Sequence, residues 1–256
     1  MRVGLIGGSA FPQNWNDWSG FRPLPQLTAQ LETAHETSYG RAASPLQGVG
    51  CGTVEMVFLA RHGRRHDLLP HEINYRANLQ ALQTARVDCV LATHTVGGID
   101  PSTPVGALVI PDQLIDYTHG RAMTFGGEGN IIHADFTEPF SQPLRDSLLR
   151  AGASAGLELV AGGVYAATQG PRLETAAEVD RLERDGASLI GMTAMPEAVL
   201  ARELALPYAS ISLVVNAAAG RGSFDEASIK AAGESGMRSL QALLLALLGD
   251  AKLLLQ

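Results

Sequence analysis

Glu174, Thr193 and Asn216 each follow a short apolar or turn-forming run: Glu174 after Gly170-Pro171, Met192-Thr193 after Ser188-Leu189-Ile190, and Asn216 after Ile211 to Val215. Polar side chains that leave converging strand ends are the usual lining of a ligand site in an open α/β sheet, and this set reads as a nucleoside site. A carboxylate accepts N–H groups only, whereas a carboxamide can donate to a carbonyl oxygen and to a ring nitrogen. Together they suit a 6-oxopurine, whose N1 carries hydrogen and whose C6 carries oxygen. Adenine presents the opposite pattern and would want a carboxylate where Asn216 stands. Capping of a helix is the competing explanation for Glu174, because a helix N-terminus favours negative charge.

Two further segments could hold an anion. Gly7-Gly8-Ser9 follows an apolar first strand, so its backbone N–H groups and the Ser9 hydroxyl could form a nest, although a tight turn explains the glycines equally well. Arg61-His62-Gly63-Arg64 follows the run Val54 to Ala60. There an arginine fork would grip a phosphate and His62 would add a donor, against the alternative of a solvated basic turn. His62, His66 and His71 also raise a metal reading, since an i, i+4 histidine pair on a helix can bind zinc. Gly63 and Pro70 break a helix across that interval, so no metal is expected. Asn74, Tyr75 and Asn78 could support the phosphate site or an interface.

Short apolar runs alternating with amphipathic segments predict an α/β fold. Strands are expected at Val3 to Ile6, Val54 to Ala60, Cys89 to Thr95, Leu108 to Ile110, Glu158 to Ala166, Leu189 to Met192 and Tyr208 to Val215. Helices are expected at Ile73 to Ala85, Glu138 to Ala151, Glu174 to Asp185, Met195 to Glu203 and Phe224 to Leu247, the last opened by a capping box of Ser223 and Glu226. Two stretches, Phe11 to Tyr39 and Tyr117 to His133, read as long irregular loops of the kind that serve function or an interface.

The chain has 256 residues, 46% of them hydrophobic, enough for one large α/β domain spanning residues 1–256. A net charge of −7 with no basic block argues against nucleic acid or an anionic membrane as partner. Two cysteines in apolar surroundings, Cys51 and Cys89, fit buried thiols in the cytoplasm. The leucine-dense Leu240 to Leu248 reads as a helix buried on the sheet, far below membrane-spanning length.

Gly7-Gly8-Ser9, Leu59 to Arg64, Asn74 to Asn78, Gly97-Gly98, Gly170-Pro171-Arg172, Gly191-Met192-Thr193 and Pro196-Glu197 together resemble, in order and spacing, the trimeric purine nucleoside phosphorylase and methylthioadenosine phosphorylase family. The resemblance covers nearly the whole chain. It implies one α/β domain around a mixed, partly barrel-like sheet, assembled as a homotrimer, with phosphate as co-substrate and no cofactor or metal. By the same resemblance Ser9, Arg61, His62, Thr95 and Thr193 would hold phosphate, Met192 would pack on the ribose, and His133 would reach a neighbouring subunit's site. His94, beside Thr95, departs from the family pattern.

The family's methylthioadenosine branch carries two aspartates bracketing a tyrosine where this chain has Asn216-Ala217-Ala218, and a serine where it has Glu174. Its inosine and guanosine branch carries Glu and Asn at those places, which implies a 6-oxopurine base. At the 5′ end the inosine enzymes place a histidine after the last helix's cap, whereas this chain has Phe224 after Ser223, a residue that welcomes a thioether. An oxopurine base site joined to a thioether pocket resembles the bacterial methylthioinosine phosphorylases. The expected activity is pentosyl transfer from a nucleoside to phosphate, with Asn216 and His62 as catalytic groups and Glu174, Met192, Ala217, Ala218 and Phe224 around the substrate. An inosine or guanosine phosphorylase, and then a methylthioadenosine phosphorylase, are the alternatives.

Overall fold

β1 (Arg2–Gly7) runs parallel to β6 (Val54–Ala60) on one side and to β7 (Cys89–Gly98) on the other. Val3, Leu5 and Ile6 are wholly buried, which explains why this strand reads as an unbroken apolar run and not as an alternation. Beyond β7 lie β13 (Tyr208–Ala217), parallel to it, then β8 (Leu108–Ile110), antiparallel, and β10 (Leu159–Ala161). Beyond β6 lie β5 (Gln47–Cys51) and β2 (Arg22–Pro23), both antiparallel. A separate two-stranded ribbon joins β3 (Glu36–Thr37) to β4 (Gly40–Arg41). The computed structural model describes residues 1–8, 18–223, 225–249 and 254.

The sheet forks at β7. Its far end, Gly97 and Gly98, pairs antiparallel with β12 (Leu189–Gly191), which leads to β11 (Val164–Ala167) and β9 (Gln113–Asp116). A Cβ at Gly98 would lie 2.2 Å from the Thr103 carbonyl oxygen, so this junction needs bare backbone. The result is the expected mixed sheet, with eleven strands among the described residues.

Helices cover both faces. α2 (Tyr75–Thr84) and α5 (Ala194–Glu203) bury Leu79, Leu82, Ala198 and Leu200 in one core cluster. On the other face α3 (Gln142–Ser154) and α6 (Glu226–Gly249) bury Leu144, Leu148, Leu240, Leu243, Leu244 and Leu247. The leucine-dense end of α6 thus packs on the sheet as its pattern predicts. α1 (Pro25–Gln30) and α4 (Ala176–Arg184) complete the set among the described residues.

Four expectations need correction. The single strand from Glu158 to Ala166 is two, β10 and β11, because Gly162 and Gly163 take φ of +90° and +117° and the chain changes partners there. The helix expected from Glu138 begins at Gln142, after Ser141 and with Pro143 in its first turn. The capping box at Ser223 and Glu226 does not form: Asp225 Oδ2 instead accepts from Ser228 N at 2.9 Å. A capping box does form on α4, between Thr175 and Glu178. The stretch from Phe11 to Tyr39 is not a plain loop, since it holds β2, α1 and β3, with residues 11–17 outside the described set.

Candidate active site

A cavity of about 810 Å³ opens at the carboxyl ends of β1, β6, β7, β12 and β13. Arg61, His62, Thr95, Glu174, Met192, Thr193, Asn216, Ala217 and Ala218 all line it. These are nine of the expected site residues, drawn from segments up to 157 positions apart. Ser9 and Phe224 lie outside the described residues. His133 is exposed on its loop and is not brought to the cavity.

At one end Arg61 leaves β6 and is 1% exposed. Its Nε and Nη2 donate to the two carboxylate oxygens of Glu197 at 2.7 and 2.8 Å, and its Nη1 donates to the Thr93 carbonyl at 2.9 Å. Burial alone would lower the arginine's pKa, but the Glu197 carboxylate holds it above the ordinary value. Of its five N–H groups, three are so engaged, and Nη1 also sits against Gly8, 3.3 Å from where a Cβ would stand.

His62 differs from the expected donor. Its Nδ1 is 2.8 Å from the Leu68 carbonyl oxygen, which can only accept, so Nδ1 carries the proton and Nε2 is left as an acceptor. Burial, and next the Arg61 charge, pull its pKa down to about 4, so the ring is neutral near pH 7. Gly63 and His66, both with positive φ, break the chain direction after it. His62 and His66 therefore do not form a helical pair, although their rings are 4.7 Å apart. No group of three or more His, Cys, Asp or Glu side chains is placed to hold a metal among the described residues.

Behind this end runs a buried polar chain. Tyr208 donates to Glu197 Oε1 at 2.8 Å, and His94 bridges the Tyr208 hydroxyl (Nε2, 3.2 Å) and the Thr193 hydroxyl (Nδ1, 2.9 Å). Burial and then the Arg61 charge push His94 well below the usual histidine range, and burial followed by Glu197 pushes Tyr208 well above the usual phenol range.

At the other end the register of β13 slips between Val214 and Asn216 against β7, so Val215 bulges where Asn216 meets Gly97. Bulges of this kind re-aim side chains beside functional sites. The Asn216 Nδ2 donates to its neighbour's carbonyl, Ala217 O, at 2.7 Å. That bond fixes the amide's orientation, with one Nδ2 hydrogen and Oδ1 still available. Glu174 lies just before the α4 cap, which is supplied by Thr175, so capping does not account for it. Its Oε1 accepts instead from the Thr168 hydroxyl at 2.7 Å.

Glu197, Tyr208 and Arg121 are site-building residues that sequence reasoning assigned no role. Glu197 was legible as a lone acid within the apolar run Ala194 to Leu200. Arg121, in the long loop after β9, donates to the carbonyls of Gln169, Met192 and Met195 at 2.6 to 2.8 Å. Asn74 and Asn78, considered as phosphate supports, serve structure: Asn74 caps α2 through Ala77 N and Asn78 accepts from Ala43 N.

The phosphorylase superfamily profile matches residues 23–249. A probable S-methyl-5'-thioinosine phosphorylase of Pseudomonas syringae is 45% identical over 88% of this chain and 94% of that protein. A 6-oxopurine nucleoside phosphorylase of Pyrococcus furiosus is 40% identical over 86% of this chain and 80% of that one. Among solved structures, a methylthioadenosine phosphorylase from Schistosoma mansoni in complex with adenine superposes with a TM-score of 0.84 at 28% identity, covering 96% of this chain and 90% of its own. With a profile match across most of its length and relatives at 40% identity or more, the chain belongs to the phosphorylase superfamily.

Proposed function

We propose that this enzyme catalyses the phosphorolysis of S-methyl-5′-thioinosine to hypoxanthine and 5-methylthioribose 1-phosphate. The observation that carries this reading is the convergence of Glu174 and Asn216 on the cavity that Arg61, His62 and Thr193 line at its other end. Asn216 hydrogen-bonds the purine at N7 and O6, its one remaining Nδ2 hydrogen bifurcated between these adjacent acceptors, and Glu174 accepts from N1. An adenine base would leave that carboxylate facing a bare ring nitrogen.

Phosphate lies between Arg61, His62, Thr95 and Thr193, with Ser9, outside the described residues, as a further ligand. A phosphate oxygen forms a bond to C1′ while the C1′–N9 bond breaks and the purine leaves with its electron pair. Positive charge on the ribose then faces the phosphate, and negative charge on the base faces Asn216. Positioning and fixed dipoles supply the rate, with no covalent intermediate, cofactor or metal.

Leu68, Leu69 and Ile229 give the cavity apolar wall, which supports a thioether tail over a hydroxyl, as does Phe224 in the sequence. The relatives named for 6-oxopurine nucleosides support inosine or guanosine as the second reading. The chain acts as a single domain in the cytoplasm, where its two free cysteines are buried, and no helix of the described residues is long and apolar enough to cross a membrane. The exposed Met123 and Ile131 on the loop that also carries His133 support a homotrimer in which that loop meets a neighbour.

Purine absorbance with a panel of nucleosides, with and without phosphate, tests the assignment. Hypoxanthine release from methylthioinosine should require phosphate and exceed release from inosine in kcat/KM. A higher value for inosine transfers the assignment to the second reading, and phosphate-independent release refutes both.

A further inference from the structure

The buried chain behind the cavity has only one consistent arrangement of protons. Glu197 is ion-paired to Arg61 through both oxygens and can only accept, so the Tyr208 hydroxyl spends its single proton on Glu197 Oε1. Tyr208 then has only lone pairs for His94, and the 3.2 Å contact requires the proton on His94 Nε2. Were the tyrosine to turn toward the histidine instead, two lone pairs would meet at 2.8 Å against a carboxylate. His94 is neutral, so its one proton leaves Nδ1 bare. The Thr193 hydroxyl at 2.9 Å must donate to it. Thr193 is 7% exposed and lines the cavity, and it arrives there with its proton already engaged. The neighbouring His62, with Nδ1 donating to Leu68 O, likewise keeps an acceptor edge at Nε2.

We propose that this relay, Glu197–Tyr208–His94–Thr193, sets the anion end of the cavity to accept a hydrogen bond from its ligand, so that it takes an oxyanion bearing a hydroxyl, hydrogen phosphate, and discriminates against sulfate. His94 and Tyr208 are positioning residues in this scheme and Thr193 is the group that touches the ligand. The inference rests on the assignment of that end of the cavity to phosphate. A site built to accept an O–H leaves its own lone pairs facing a bare oxygen when the hydroxyl is missing, a mismatch that costs far more than a lost apolar contact.

Calorimetric titration of the ligand-free protein at pH 7 with inorganic phosphate and, separately, with sulfate tests this without any nucleoside. Sulfate should bind at least about tenfold more weakly than phosphate. His94→Leu removes the acceptor that holds the Thr193 proton, and Tyr208→Phe removes the group that dictates the imidazole tautomer while leaving every cavity-lining atom in place. Either variant should narrow the sulfate-to-phosphate ratio toward one, with thermal melting showing which of the two is folded. Equal binding of the two anions to the unaltered protein overturns the inference, as does an unchanged ratio in a folded variant. Arg61→Met separates this from the underlying site reading: if it leaves phosphate binding intact, phosphate does not bind here and the assignment fails at that level.

Discussion

Arg61, just after β6, and Glu197, in α5, hold each other through two parallel hydrogen bonds of 2.7 and 2.8 Å, with side chains 1% and 0% exposed. An ion pair this deep resists loss of one partner more than loss of both, because the survivor is left charged and desolvated. Glu197→Ala should therefore destabilise the fold by about 3–5 kcal/mol, read from urea denaturation. It should also weaken phosphate binding, since Arg61 is freed to move. A variant of ordinary stability and phosphate affinity would contradict the role given to the pair.

Asn216→Asp reverses the hydrogen-bonding character at the base. A carboxylate has nothing to donate to O6, so kcat/KM for methylthioinosine should drop on the order of 10²-fold, while methylthioadenosine, with its exocyclic amino group, gains a partner. The measurement is the ratio of the two substrates in each protein. An unchanged ratio would move base recognition away from Asn216.

Stability should fall as the medium is acidified through the histidine range. His62 is depressed to about 4 in the fold by burial against about 6.5 in an unfolded chain, so the unfolded state binds the extra proton between those values. Its contribution is complete above about pH 6.5 and is lost as pH falls toward 4, at no more than about 1.4 kcal/mol per pH unit. His94, lowered in the same direction, adds to the slope. Urea midpoints at pH 7 and pH 5 should differ accordingly, and His62→Gln should flatten the difference.

Arg121→Ala removes four hydrogen bonds from one guanidinium to the backbone that frames the site, at Thr168, Gln169, Met192 and Met195. Charged hydrogen bonds of this kind contribute about 1.5–3 kcal/mol each, so the variant should melt early. The loop from Tyr117 to His133 should be cut faster by protease, and kcat/KM should fall because Met192 is no longer held. Wild-type protease resistance would show that the loop is anchored by other contacts.

Strong local patterns carried most of the fold. The buried strands β1, β6, β7, β8, β12 and β13 were legible as apolar runs, and α2 through α6 as amphipathic segments. The short antiparallel strand β5 was not, because Gly48 and Gly50 leave it without an apolar run, and neither was β9, half-exposed and paired with the sequence-distant β11. In the site, the residues that face the cavity could be found from strand ends. The hidden half could not be read as a unit: Glu197 stood out only as a lone acid in an apolar run, its links to Tyr208 and His94 span up to 114 positions, and nothing local marks a tyrosine inside a strand as a link in a polar chain. The bulge at Val215 was equally invisible, since it exists only relative to the register of β7.

The fork at β7 gives this enzyme a built-in ruler. Thr93, His94 and Thr95 lie at the Arg61 end of the cavity, while Gly97 and Gly98, on the same strand, seat the bulge that carries Asn216 and the branch that leads to Met192. At about 3.3 Å per strand residue the two ends are set roughly 10 Å apart by a single stiff rod. On the proposed reading, nucleophile and leaving group cannot drift independently, because the spacing between their two ends of the cavity is a property of one stretch of backbone.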